Sequence, residues 1–199
     1  MLYLTADPHL DTEGTNMLGR PFSSKEEMNG TILEEYNSRA GKNDRIIIAG
    51  DFSFREPQKW RNKLRCKNIV LVLGNHDPVR RCVLAFGQNN VREQYMTKCC
   101  GHNMFISHYP TLYWPKSHYG SFHGYGHVHD MRTDTIMSHF PDIRAIDLGV
   151  HSGKRILGKW TLFSEEEIYE ILIKRKGHDP VEFYKELRGE YKKDHNPEH

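Results

Sequence analysis

Five short blocks of this sequence hold most of the residues suited to metal-assisted chemistry. Asp7 and His9 flank a single proline, Gly50-Asp51 follows, and then come Gly74-Asn75-His76-Asp77, Ser107-His108 and Gly126-His127-Val128-His129. Their side chains supply carboxylate and amide oxygens and imidazole nitrogens, and no thiolate. That donor set suits borderline divalent ions, manganese first, with iron, zinc or nickel as alternatives. In an extended segment an i, i+2 spacing points both side chains to one face, which applies to Asp7 and His9 and to His127 and His129. The groups outnumber the ligands one ion needs. Two ions about 3.5–4 Å apart, bridged by one carboxylate, would use them all. Each block alone has an ordinary explanation, since Gly-Asn-His-Asp makes a tight turn and an aspartate caps a helix. The weight lies in their joint occurrence at successive strand ends.

Those strand ends follow from the pattern around the blocks. Met1 to Ala6 is apolar and β-competent and is broken at Pro8. Arg45 to Ala49 and Ile69 to Leu73 are short, continuous apolar runs, the signature of strands buried on both faces. Helices are predicted between them. Ser24-Lys25-Glu26-Glu27 reads as a capping box ahead of an apolar stripe of Met28, Ile32, Leu33 and Tyr36. Pro57 to about Lys63 and Pro78 to Phe86 begin at prolines. Strand, helix, strand, helix, strand implies a parallel α/β sheet, and ligands in such sheets bind beyond the carboxyl ends of the strands. In the second half, strands are expected over Val91 to Lys98, Asn103 to Ser107, Ile143 to Leu148 and Trp160 to Phe163. A loop rich in Pro, Ser, Tyr and Trp runs from Tyr109 to Phe122. Ser164 opens another helix with a buried stripe of Ile168, Ile171 and Leu172, and Asp179-Pro180 a last short one.

Composition narrows the classes. At 199 residues and 37% hydrophobic, the chain suits a single domain, expected over residues 1–189, with a polar tail over 190–199. A net charge of +2 argues against both a strongly basic nucleic-acid binder and an acidic disordered chain. The apolar runs are too short to span a bilayer, and the first residues lack the basic start of a signal peptide. Cys66, Cys82, Cys99 and Cys100 show no Cys-x-x-Cys spacing. Reduced thiols in a cytoplasmic protein are the expectation.

The blocks Asp7-x-His9, Gly50-Asp51, Gly74-Asn75-His76-Asp77, His108 and Gly126-His127-x-His129 resemble the five signature blocks of the calcineurin-like metallophosphoesterases, over Met1 to about Ile173. Arg20 to Asn29 and Ser107-His108-Tyr109-Pro110 further resemble a small, single-domain, phage- and bacteria-associated branch. The resemblance implies a four-layer fold, two mixed sheets packed face to face with helices outside. It implies Asp7, His9 and His129 on a first ion, Asn75, His108 and His127 on a second, and Asp51 between them. It sets His76 beside the leaving-group oxygen, with Asp77 orienting it. Three departures are visible: Pro8 sits inside the first block, Leu10-Asp11 replaces a common Gly-His, and Asp147 stands where an Asn is expected.

The implied chemistry is hydrolysis of a phosphate ester. Two divalent ions neutralise the phosphoryl oxygens and lower the pKa of a bridging water. The resulting hydroxide attacks in line and His76 assists the departing oxygen. Candidate substrates are monoesters, nucleotide-like diesters or nucleic acid, so a nuclease is one rival. A non-catalytic scaffold on the same fold is another, and the presence of His76 and all seven ligand positions weighs against it. Arg20, Arg55 and Arg80 are candidate phosphate clamps. Tyr109, Tyr113, Trp114, Tyr119 and His123 are candidate pocket walls for a nucleobase.

Overall fold

The computed structural model describes residues 1–12, 18–130, 140 and 142–177. The apolar runs of the first half form the strands β1 (Leu2–Thr5), β2 (Arg45–Ala49) and β3 (Asn68–Val72), side by side and parallel. The helices between them are α1 (Lys25–Arg39) and α2 (Pro57–Lys63), followed after β3 by α3 (Val79–Phe86). Two short strands complete this sheet: β4 (Val91–Arg92) lies parallel to β3, and β9 (Phe163–Ser164) antiparallel to β1. The order is β4-β3-β2-β1-β9. The second sheet runs β5-β6-β7-β8, from Gln94–Cys99, His102–Ser107, Phe122–Tyr125 and Ala145–Asp147; β5 is antiparallel to β6 and the remaining pairs are parallel.

Strand periodicity sorts the core into layers. Leu2, Leu4, Ile47, Ala49, Val70 and Val72 point one way and pack with Met104, Ile106, Phe122 and Ile146 of the second sheet. Tyr3, Ile46, Ile48, Ile69 and Leu71 point the other way, under Met28, Ile32 and Tyr36 of α1, Trp60 of α2 and Cys82 and Phe86 of α3. Two mixed sheets therefore stack face to face with helices outside, and continuous apolar strands are what a sheet covered on both faces requires. Behind the second sheet, Trp114 packs with Phe105, Tyr125, Ile143 and Ala145. No helix among the described residues is long and apolar enough to cross a membrane.

Several boundaries differ from the sequence reading. The run expected as one strand over Val91 to Lys98 is divided between the sheets. Val91 and Arg92 pair with β3, and from Gln94 onward the chain pairs with β6, with Glu93 at the crossing. Helix α4 (Val150–Leu157) was not foreseen, because His151, Ser152 and Gly153 are weak helix formers near its start. At α1, Ser24 caps the Glu27 amide as expected, but the Glu27 carboxylate returns to the amide and hydroxyl of Ser23. The capping box is complete at α5 (Glu165–Leu172), where Ser164 and Glu167 exchange bonds of 3.2 and 2.8 Å. The helix expected at Asp179-Pro180 and the tail over 190–199 lie outside the described residues.

Ser164 closes a strand, caps a helix and fixes Glu167, which also takes a 2.7 Å bond from Arg39 of α1. Ser164→Ala should therefore lower unfolding stability by about 1 kcal/mol, and Ser164→Asp should retain most of it. Urea denaturation midpoints measure this, and an unchanged midpoint in Ser164→Ala would mean the cap contributes nothing.

Candidate metal centre

The five blocks meet where the two sheets end. Asp7 and His9 leave β1, Asp51 leaves β2, Asn75 and His76 leave β3, His108 leaves β6, and His127 and His129 leave β7. Backbone bonds knit the crossings together: Asp7 donates to the Gly50 carbonyl at 3.0 Å, His9 to Asp51 at 3.0 Å, and Gly126 to His108 at 2.9 Å. The turns are tight enough to force unusual backbone. Asp7, His9, Asp51, His127 and His129 all have positive φ, between 49° and 71°. Such conformations cost free energy in non-glycine residues and cluster at functional sites. Two glycines make room. A Cβ on Gly50, whose φ is 94°, would overlap the His108 ring, and one on Gly74 would overlap the Asp51 carboxylate.

The side chains converge on two adjoining groups. On one side the Nε2 atoms of His9 and His129 lie 3.0 Å apart, with Asp7 Oδ1 3.8 Å from His9 Nε2. On the other, Asn75 Oδ1 lies 2.9 Å from His108 Nε2 and 3.0 Å from His127 Nδ1. Asp51 Oδ2 sits between them, 3.5 Å from His9 Nε2 and 3.5 Å from His108 Nε2. Asp7, His9 and His129, and likewise Asp7, Asp51 and His108, offer ligand atoms within 4.8 Å of one another, close enough to hold a metal ion.

Hydrogen bonding decides which atoms face inward. His108 Nδ1 donates to the Ala49 carbonyl at 2.9 Å, so Nε2 carries a bare lone pair, aimed at the acceptors of Asn75 and Asp51. Asp7 Oδ2 accepts from the His127 amide at 2.9 Å, and Asp51 Oδ1 from the His76 amide at 2.8 Å. Each carboxylate thus keeps its other oxygen for the interior. Asp7 Oδ1 is buried with no hydrogen-bond partner among the described residues. Buried acceptors that face one another, as His108 Nε2 faces Asn75 Oδ1 and Asp51 Oδ2, are what a cation resolves.

Charge tells the same story. Burial pushes the Asp7 carboxyl well above its ordinary range, reinforced by the nearby carboxylates of Asp147 and Asp51. Burial also raises Asp51. It holds His9 far below the usual imidazole range, with His129 adding to the effect, takes His129 down to about 3, and lowers His108. The carboxyls resist negative charge and the imidazoles resist protonation. A divalent cation stabilises carboxylate and neutral imidazole at once.

A surrounding layer fixes the turns, and here the structure corrects two expectations. Asp77 does not address the His76 ring. Its carboxylate accepts backbone amides of Asp51 at 2.8 Å, Phe52 at 2.9 Å and Gly74 at 2.9 Å, and burial raises its pKa to about 6. Arg20 is no phosphate clamp: it is buried and donates to the carbonyls of Pro8 at 2.7 Å and Asp7 at 2.6 Å. Asp147, the unexpected aspartate, accepts the amides of Asp130 at 2.9 Å and Gly149 at 2.7 Å, and so holds the turn after His129. His76 is exposed, its ring 4.7 Å from Phe54 and 5.6 Å from His9. Sequence reading did not single out Phe54, although its place three residues after Asp51 was the available signal.

Of the proposed pocket aromatics, Trp114 and His123 belong to the core. Both are buried and stack at 5.3 Å, and Trp114 donates to Ser121 Oγ at 3.0 Å. Tyr119 is exposed beside His118. Tyr109 packs edge-on to His127 at 4.6 Å and His108 at 5.0 Å, and joins Tyr113, Phe105 and Leu73 around a cavity of about 380 Å³ that shares His108 with the site.

Because Asp77 holds two loops by three amides, Asp77→Asn should disturb the site without touching a ligand. An amide replaces one acceptor oxygen with a donor, so at least one backbone N–H loses its partner. Manganese affinity should fall by about 10- to 100-fold in an otherwise folded protein. Titration followed by Mn²⁺ electron paramagnetic resonance measures this, and unchanged affinity would show that the loops hold themselves.

Comparisons with known proteins bear on the fold and the family. A stretch of 81 residues, 38% of the chain, is 35% identical to an uncharacterized protein of Methanocaldococcus jannaschii, and spans 46% of that protein's length. A protein of unknown function from Aquifex aeolicus superposes with a TM-score of 0.67 at 20% identity, over 86% of this chain and 98% of its own, which shows a shared fold. The profile of the calcineurin-like phosphoesterases matches residues 2–197. With nearly its whole length matched, the chain belongs to the calcineurin-like phosphoesterase family.

Proposed function

We propose that this protein hydrolyses phosphate esters at a centre of two divalent ions, with manganese the first choice. The observation that carries the reading is the place of Asp51 Oδ2, equidistant at 3.5 Å from His9 Nε2 and His108 Nε2. Asp7, His9 and His129 would hold one ion and Asn75, His108 and His127 the other, with Asp51 shared. The ions would neutralise phosphoryl oxygens and lower the pKa of water. The protein's own part is to keep the imidazoles unprotonated by burial, to aim lone pairs inward through bonds such as His108 Nδ1–H to Ala49, and to hold Asp51 by the His76 amide. The His76 ring, held against Phe54, would present an N–H to the departing oxygen as negative charge builds there.

The cavity beside His108 supports a nucleotide-like substrate. Tyr109 and Tyr113 offer flat surface to a base whose phosphate lies at the ions. Of the two rings expected to stack on a base, Trp114 is buried and Tyr113 is half exposed, so Tyr113 keeps the role.

His76→Ala should keep its manganese and lose about 10²–10⁴-fold in turnover of an ester with a poor leaving group. Unchanged turnover of an alkyl ester would remove His76 from the reaction. Tyr113→Ala should raise the KM of a nucleotide phosphodiester about 5- to 150-fold and leave a small ester without a base unaffected. Equal losses on both substrates would assign Tyr113 to folding, and no loss would leave the base without its wall.

A further inference from the structure

His129 would reach an ion through Nε2, the atom that faces His9 Nε2 at 3.0 Å. A neutral ring that offers a bare Nε2 carries its proton on Nδ1. In His129 that Nδ1 is buried and has no hydrogen-bond partner among the described residues. A buried N–H without an acceptor is unfavourable, and a metal-binding imidazole ordinarily donates this N–H to a carboxylate, a carbonyl or a water. His108 does so, with its Nδ1–H on the Ala49 carbonyl. The acceptor for His129 has to be looked for beside it.

One neighbouring ring has the complementary need. His151, in the first turn of α4, lies 5.1 Å from the His129 ring, centre to centre, with 67° between their planes. Its Nε2 is 2.7 Å from the Leu18 carbonyl, which can only accept. Nε2 therefore carries the proton of this imidazole, and Nδ1 is left as a bare acceptor. Burial keeps the ring neutral, its pKa lowered to about 4, and Arg20 adds to the effect. His151 Nδ1 is buried too, and it also has no partner among the described residues. Trp160 packs edge-on to the ring at 5.2 Å, so carbonyl and indole together hold it in place.

We infer that His151 is a positioning residue for His129: its Nδ1 accepts the Nδ1–H of His129, directly or through one bridging water. The inference rests on the two-ion reading and adds a residue that neither the blocks nor their spacing pointed to. A buried donor without an acceptor and a buried acceptor without a donor, on adjacent rings, are both satisfied by one such link. The link fixes the His129 tautomer, holds the ring plane and makes Nε2 a more basic ligand. Leu18, His151 and His129 then form one hydrogen-bonded chain that ends at the centre. His151 acts through His129 and is not itself a ligand.

The test is Mn²⁺ titration of the full chain followed by electron paramagnetic resonance, with urea midpoints of the metal-free variants to show that each is folded. His151→Phe keeps a flat ring against Trp160 and removes the acceptor. It should weaken one of the two manganese ions by about 10- to 100-fold. His151→Asn returns an acceptor oxygen close to the place of Nδ1, and should bind that ion more tightly than His151→Phe. Unchanged affinity in His151→Phe, or an Asn variant no tighter than the Phe variant, overturns the inference, since the ring would then serve only by packing. If His151→Phe does not fold, His151→Asn decides alone: affinity near that of the wild type upholds the link, and a loss of about 10-fold or more removes it. Bis-p-nitrophenyl phosphate tests the underlying reading separately. Its hydrolysis by wild-type protein, with unchanged manganese affinity in His151→Phe, ends the inference alone. Two bound ions without hydrolysis of this or any other ester end the phosphoesterase reading alone, and wild-type protein that binds no manganese ends both.

Discussion

The structure turns on a set of acceptor atoms brought together in one buried space. The His108 ring spends its only N–H on Ala49, Asp7 and Asp51 each spend one oxygen on a backbone amide, and what remains of all three points inward. Acceptors held this close in a buried space are unfavourable by themselves, since burial penalises both the charged carboxyls and the charged imidazoles. The local backbone adds to the cost through a row of left-handed residues. The remainder of the fold offsets it. Two packed sheets, with apolar strands buried on both faces, hold the turns in place from behind.

The offset is delivered through backbone, and the buried charged groups around the centre act as fasteners. Arg20, with its pKa lowered to about 10 by burial, stays a cation in the interior because two carbonyls and Met28 receive its donors. Asp77 and Asp147 stay there because amides converge on them. Each removes the freedom of a turn that carries a site residue. Precision in this site is thus a property of carbonyl and amide positions, and the inward-facing side chains inherit it.

The same distinction explains what could be read from sequence. Apolar runs ending in Asp, Asn or His announced the strands and the blocks, because strand burial and strand-end chemistry are local in sequence. Asp7, His9, Asp51, Asn75, His108, His127 and His129 all come to one place. Fasteners are different. Arg20 reads as a phosphate clamp, since nothing near it in sequence shows that the carbonyls of Asp7 and Pro8 lie within its reach. Trp114 looked like a pocket wall because an aromatic in a polar loop has no periodicity to mark it as core. Glu93 marks another limit: an unbroken β-competent run gives no sign that it changes sheets partway.

The strand order of the first sheet has a consequence for how the protein comes into being. β1 lies inside the sheet, between β2 and β9, and Tyr3 pairs with Ser164. The Leu2 amide reaches Glu165, 163 residues away. During synthesis the first strand waits for one of the latest described elements before its second edge is covered. Contacts so distant in sequence close slowly, since the loop entropy is lost before the contacts repay it. The centre draws on both sheets, so the half built on β1 to β3 exists on the nascent chain before the histidines of the other half emerge. Until β9 is in place, β1 presents an unpaired strand edge, the kind that invites wrong pairing.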